Sequence, residues 1–310
     1  MKRFLCSIAA FLFSFSSVMA QDDLLSLIPQ EKKSEKEYII NAFKSSRVIN
    51  GHSMEMIGEG ILDTRILHRF GTLNAGFSEL FGLDQANMRI GFDYGVTKDL
   101  TVGVGRSNVG KELDGFVKYR IIHQSTGGKN ASPVSLIWVS GMTWNTQKWA
   151  SATQKGNPTD RLAYYHQLII GRKFSEAFSA QISPTLVHLN LIQPNQPKND
   201  IGAIGLGARM KLSKRVAFVV DYHLVLEPTD SWFSFEDDDD DDDAGNAVNN
   251  YINPLSIGFD IETGGHVFQL HFSNATGMNE KSFIAQTNQT WGRGEIRFGF
   301  NLSRVFAVRN

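Results

Sequence analysis

The stretch Met88-Arg89-Ile90-Gly91-Phe92-Asp93-Tyr94-Gly95, followed after Val96 to Asp99 by Leu100-Thr101-Val102-Gly103-Val104-Gly105, decides the fold class. Successive side chains of an extended chain point to opposite faces. Met88, Ile90, Phe92 and Tyr94 therefore share one side, and Arg89, Gly91, Asp93 and Gly95 the other. The next segment repeats the pattern, with Leu100, Val102 and Val104 against Thr101, Gly103 and Gly105. An apolar face backed by ionised and small residues suits a strand with lipid on one side and a polar lumen on the other. The four residues between the two runs make a hairpin.

Outward from this hairpin the alternation recurs in segments of about ten residues, the length of a tilted membrane strand. The candidates are Leu62 to Phe70, the two above, Leu113 to His123, Val134 to Trp144, Leu162 to Phe174, Phe178 to Leu189, Ile201 to Leu212, Val216 to Leu226, Leu255 to Glu262, Val267 to Asn274 and Gly294 to Phe306. The expected fold is all-β, an antiparallel transmembrane β-barrel of about 12 strands with a periplasmic N-terminal extension. Connection lengths support the same topology, since short turns alternate with long loops in such barrels. Short turns fall at Val96 to Asp99, Ser175 to Ala177, Ser213 to Arg215 and Thr263 to His266, and long connections at Asn145 to Asp160, Glu227 to Asn253 and Ala275 to Arg293. Two connections fit less well: Asn108 to Glu112 is short for an outer loop, and Gln124 to Pro133 is long for a periplasmic turn.

Ahead of the strands, Lys2 and Arg3 precede an apolar run, Phe4 to Phe15, and the small-residue end Val18-Met19-Ala20. This is the layout of a cleaved secretory signal, and the apolar run is too short for a membrane-spanning helix. The expected organisation is a signal peptide over 1–20, a periplasmic extension or partial plug over 21–59, and the barrel over 60–310. Cys6 is the only cysteine and lies inside the signal run, so the mature chain has no disulfide, thiolate metal site or cysteine nucleophile.

A mean hydropathy of -0.20 is compatible with membrane insertion, because barrel strands average a greasy face with a polar one. Lys and Arg number 31 against 32 Asp and Glu. Without Lys2, Arg3 and the eight acids of Glu236 to Asp243, 29 cations face 24 anions, so a mildly basic body carries one acidic loop. The expected lumen-lining residues are Arg65, Arg69, Arg89, Asp93, Lys118, Arg120, Arg209, Asp221, Asp260, Glu262 and Arg297. The expected lipid-facing residues are Met88, Ile90, Phe92, Tyr94, Ile296, Phe298 and Phe300.

The chemical motifs have plain readings. Gly105 to Lys111 matches a phosphate-binding loop only until Glu112, which stands where a magnesium-holding hydroxyl belongs, and a strand follows instead of a helix. Gly103-Val104-Gly105 and Gly205-Leu206-Gly207 read as small lumen residues that leave room for long neighbours. Glu236 to Asp243 offers oxygen ligands without the spacing of a calcium loop, so a solvated loop with weak divalent-cation association is expected. The eight histidines are scattered, with His223 and His271 on polar strand faces and His68 and His166 on outward registers. No catalytic constellation, cofactor site or metal site is expected.

The segments Phe43-Lys44-Ser45-Ser46-Arg47-Val48-Ile49-Asn50-Gly51-His52-Ser53, His68-Arg69-Phe70-Gly71, Phe81-Gly82-Leu83-Asp84, Met88 to Gly95 and Asp114-Gly115-Phe116-Val117-Lys118-Tyr119 resemble the β-barrel family grouped as domain of unknown function 5777. The resemblance covers most of the mature chain. It implies a barrel in the outer membrane of Bacteroidota and transfers no catalytic residue.

The functional expectation is a non-enzymatic outer-membrane barrel, as a narrow channel for small solutes. The alternatives are a non-transporting structural or adhesion barrel with a filled lumen, and a secreted soluble all-β protein. Expected partners are outer-membrane lipid and the barrel-insertion machinery, to which an aromatic-rich last strand is directed, and no nucleic acid. Phe43 to Ser53 is expected to enter the lumen if the extension acts as a plug.

Overall fold

The computed structural model describes residues 35–148, 156–191, 199–226 and 251–309. The signal segment and the acidic run Glu236 to Asp243 lie outside the described residues. Twelve antiparallel strands close into one barrel. They are β1 Ile61–Thr72, β2 Ala86–Thr97, β3 Leu100–Ser107, β4 Glu112–Ile122, β5 Ser135–Asn145, β6 Leu162–Lys173, β7 Phe178–Leu189, β8 Asp200–Lys211, β9 Val216–Val225, β10 Leu255–Thr263, β11 His266–Ser273 and β12 Arg297–Ala307. Each pairs with its sequence neighbours, and β12 closes the ring on β1 with Ser303 opposite Arg65. Closure leaves no sheet edge with unpaired backbone groups, which is what permits strands to cross a bilayer.

Alternation sets the two surfaces. On β2, Met88, Ile90 and Phe92 are 40%, 36% and 47% exposed on the outside of the barrel, while Arg89 and Asp93 between them are each 1% exposed. The outside thus carries the apolar residues and the inside the ions, the reverse of a soluble protein. Around β11, β12 and β1 the outer face carries an aromatic cluster, with Phe70 and Phe298 stacked at 5.8 Å and His68 and Phe300 at 5.0 Å. Ile296 precedes β12 and is half-buried.

The short connections between β2 and β3, β6 and β7, β8 and β9, and β10 and β11 share one end of the barrel, the turn end. The long Gln124 to Pro133 connection lies there too. It is long because Ser125–Thr126 pairs with Glu37–Tyr38 of the N-terminal extension, adding a two-stranded clip beside the mouth. At the opposite, loop end, Asn108 to Glu112 is short because residues 109–111 make a single tight 3₁₀ turn into β4. The helix that a phosphate loop needs does not follow.

The two glycines of β3 make room for two long neighbours. A Cβ on Gly105 would collide with the Arg89 guanidinium, and one on Gly103 with the ring of Phe116. Arg89 lies flat over β3 to reach Asp114 on β4, donating from Nε at 2.9 Å and from a terminal nitrogen at 2.5 Å.

Candidate functional site: an occupied lumen

The barrel interior is filled from both ends. From the turn end, residues 41–57 run into the lumen and back, and Phe43, Arg47, Val48, Ile49, His52 and Ser53 are at most 1% exposed. The segment folds as a hairpin, with Arg47 bridging His52 and the Val48 N–H donating to the Gly51 carbonyl at 2.8 Å. Its tip is held by one carboxylate: the backbone N–H groups of Ile49, Asn50 and Gly51 donate to Asp221 Oδ2 at 3.3, 2.7 and 2.9 Å. Successive N–H groups that converge in this way form an anion-binding concavity. The other Asp221 oxygen lies 3.0 Å from His223 Nε2.

The limbs of the hairpin are matched by wall side chains that stand in for a neighbouring strand. Gln181 donates to the His52 carbonyl at 2.6 Å and accepts from the Met54 N–H at 2.7 Å. Gln269 and Asn301 donate to the carbonyls of Val48 and Ile49 at 2.6 and 2.9 Å. Arg65 donates to both Ser45 and Ser46, Arg69 to Asn50 Oδ1 at 2.7 Å, and Lys118 to the Glu55 carbonyl at 2.6 Å. A buried backbone without partners costs stability group by group, and here the wall supplies them.

From the loop end, the connection between β11 and β12 dips inward and forms α1, Glu280–Ala285. Asn279 caps it, accepting from the Ser282 N–H at 2.9 Å. Glu112 fastens the loop by accepting from Asn279, Lys281 and Ser282 at 2.8, 2.6 and 2.7 Å. Phe283 and Ile284 pack into an apolar cluster with Ile137, Val139 and Val187 of the wall. The two intrusions meet at Arg47 and Glu280, paired at 2.5 Å with both side chains 1% exposed. His52 joins them, 3.4 Å from Glu280 and 3.2 Å from the Tyr165 hydroxyl. Burial and the surrounding cations, Arg47 first, hold the His52 imidazole well below its usual pKa, so it is neutral at pH 7.

The residues named from the sequence fall as follows. Arg65, Arg69, Arg89, Asp93 and Lys118 are at most 1% exposed inside the barrel, and Arg209, Asp221, Asp260 and Arg297 are also buried. Arg120 and Glu262 sit at the turn-end rim, with Arg120 beside Asp99 at 3.8 Å and Glu262 paired to Lys44 of the extension at 2.9 Å. Two features escaped the sequence reading. One is α1, whose signal was the apolar triplet Phe283-Ile284-Ala285 inside a polar loop. The other is that the inner wall is not uniformly polar: β5 to β8 also turn Ile137, Val139, Ile169, Val187 and Ile201 inward, all fully buried. Runs apolar at consecutive positions, such as Leu186-Val187, marked these strands as apolar on both faces.

Among comparisons with other proteins, a family model described as a membrane bound beta barrel domain matches residues 43–306. That span takes in nearly all of the lumen hairpin and all twelve barrel strands but for Ala307 at the end of β12. No curated protein matches the chain. Among solved structures, the NanC porin shares 9% identity, with 79% of this chain and 98% of the porin covered at a TM-score of 0.47. An outer membrane channel from Pseudomonas putida F1 shares 11%, with 82% and 98% covered and the same TM-score. Omp33 of Acinetobacter baumannii shares 10%, with 79% and 97% covered at 0.38.

Proposed function

The chain belongs to the membrane bound β-barrel domain family, domain of unknown function 5777, and we propose on that footing that it is an exported outer-membrane protein serving as a passage for small solutes, shut in the state described by its own residues 41–57. The observation that carries this reading is the chemistry of the seat. The hairpin is held largely by hydrogen bonds donated by Arg65, Arg69, Lys118, Gln181, Gln269 and Asn301 and accepted by Asp221, and water can replace each of these when the hairpin leaves. A lumen filled for stability alone gains as much from apolar side chains of equal volume, without the desolvation of buried ions. Twelve strands also enclose more space than the eight whose side chains suffice to fill a barrel.

The test is conductance in planar bilayers, beside fractionation of cell envelopes. The intact protein is expected in the outer membrane and electrically silent. Asp221→Ala, which removes the acceptor of three tip N–H groups, is expected to open stepwise currents. Silence in both proteins would favour the second reading, a permanently filled structural barrel, for which the apolar contacts of Phe43, Met54, Phe283 and Ile284 speak. Recovery of the protein in the soluble periplasm would refute the membrane assignment.

A further inference from the structure

We infer that the turn-end rim between β4 and the N-terminal clip seats one anionic phospholipid of the surrounding bilayer, its phosphate on Lys36, Lys98 and Arg120 and an acyl chain along the outer face of β4. The inference uses the membrane assignment and stands apart from whether the lumen opens. One recess, the state of its cations and a bulge beside it carry the argument.

The recess has a volume of about 380 Å³ and brings together Lys36 and Tyr38 of the clip, Lys98 of the turn after β2, and Arg120, Ile121 and Ile122 at the end of β4. Asp99 is the one carboxylate in its lining. Alternation along the clip strand puts Glu37, between Lys36 and Tyr38, on the other face. Lys36 lies over the Tyr38 ring, 5.2 Å from its centre, and among the described residues neither Lys36 nor Lys98 forms an ion pair.

Arg120 is the fixed member of the set, with its side chain only 10% exposed. His123 Nε2 lies 2.9 Å from the Ile39 carbonyl and donates to it, which leaves Nδ1 to accept from an Arg120 terminal nitrogen at 3.2 Å. Arg120 Nε has no partner. Two carboxylates attract this guanidinium, and neither satisfies it. Asp99 stands 3.8 Å away, beyond hydrogen-bond reach, and Glu55 accepts from the Ala42 and Phe43 N–H groups on the hairpin side and does not line the recess. Three cations less one carboxylate leave two positive charges in the lining, and phosphate oxygens meet both the charge and the vacant donors.

The apolar half follows from the pairing of β4 with β5. Arg120 stands opposite Ile137 and Ile122 opposite Leu136, so Ile121 is an extra residue in the ladder. Strict alternation would send Ile122 inward with Arg120. The bulge instead leaves both isoleucines outside, 52% and 39% exposed. Two consecutive isoleucines at the rim are unfavourable against water and favourable against acyl chains. Toward the middle of the barrel the same face continues through Tyr119 and Val117, and Tyr119 stands directly opposite the outward Trp138. Tyr and Trp gather where lipid chains give way to head groups. The cations thus lie at head-group depth beside a stripe fit for a chain.

The test is native mass spectrometry of the full protein, stripped of lipid in detergent and titrated with phosphatidylglycerol or phosphatidylcholine of matched oleoyl chains. One phosphatidylglycerol is expected to be retained at a concentration at least about tenfold below phosphatidylcholine, since each cation at a membrane surface favours an anionic lipid by a few-fold. Lys36→Gln with Lys98→Gln, both exposed, is expected to narrow that preference to within about threefold. Adding Arg120→Gln is expected to abolish it; if that protein fails to fold, the exposed pair alone decides. Ile121→Ser with Ile122→Ser is expected to weaken both lipids alike. Lys211→Gln with Lys214→Gln, exposed at the same end and outside the recess, is expected to leave the preference intact. Equal retention of the two lipids, or a preference lost as fully in the Lys211 and Lys214 variant, would overturn the site. Displacement of the lipid by equal concentrations of glycerophosphoglycerol or inorganic phosphate would show a site for free phosphate and overturn the lipid as its occupant.

Discussion

Removing Glu280 should release the hairpin far more than its size suggests. The carboxylate lies 2.5 Å from Arg47, with both side chains 1% exposed. Arg47 keeps only the Asn50 carbonyl, at 2.8 Å from the same terminal nitrogen, and a Phe116 ring 5.6 Å away. Glu280→Ala thus leaves a buried guanidinium with no anion, a change that costs about 3–5 kcal/mol. The cheapest escape is for the hairpin to leave its seat and for Arg47 to reach water. Its amides, Val48 and Ser53 among them, should then lose hydrogen-exchange protection by between about 100-fold and about 4,000-fold, while the amides of β6 and β7 change little. Replacing both partners, as Arg47→Met with Glu280→Leu, removes the stranded charge and should restore most of the protection. Protection within about threefold of the unaltered protein in Glu280→Ala, a difference of well under 1 kcal/mol, would show that the pair does not hold the hairpin.

Other changes separate the two faces of the wall. Ile90→Arg puts a charge on the outer face of β2 and should cost about 2–4 kcal/mol of folding stability near the bilayer midplane, whereas Asp93→Asn, which keeps the side chain's shape and leaves Arg65 its second carboxylate, Asp63, should cost less; urea titration in detergent micelles reads both, and equal tolerance would refute the register. Gly105→Leu drives a side chain into the Arg89 guanidinium and should cost about 1–3 kcal/mol, read as a lower temperature for loss of the compact band on an unheated denaturing gel. Deleting Glu236 to Asp243 lies within the loop-end connection between β9 and β10, so insertion and the compact band should persist; loss of either would count against the topology.

The strands were legible because a barrel wall imposes a period of two on every crossing, and Met88 to Gly95 shows it without help from any distant residue. The lumen hairpin was only half legible. Ser45, Ser46, Asn50 and His52 fall in a polar, irregular stretch that reads as an extension or partial plug, and its pattern does not say which side chains are buried. What holds them is scattered along the wall: Arg65 and Arg69, 19 or 20 residues on, then Gln181 at 129 and Asp221 at 171. Pattern reading sees neighbours in sequence, and this seat has none. The same limit hid the inward apolar residues of β5 to β8. Ile169 and Val187 face inward beside outward Ile170 and Leu186, so hydropathy alone cannot say that their partner is Phe283 of a distant loop.

Ring closure has a consequence in time. The bond between Ser303 and Asp63 joins residues 240 apart, and β1 finds β12 only after every other strand exists. Such long-range pairing is slow to form, because the chain must surrender its freedom before the contact rewards it. The hairpin precedes β1, yet its tip waits for β9, β11 and β12, the last third of the wall. The first segment of the barrel domain to be made is thus the last to be seated, once the strands that hold its tip are in place. Until then Arg47, Arg65 and Lys118 stay hydrated. Shedding that water belongs to the final step of assembly, so mutations at the seat should slow the end of folding and leave strand formation at its own pace.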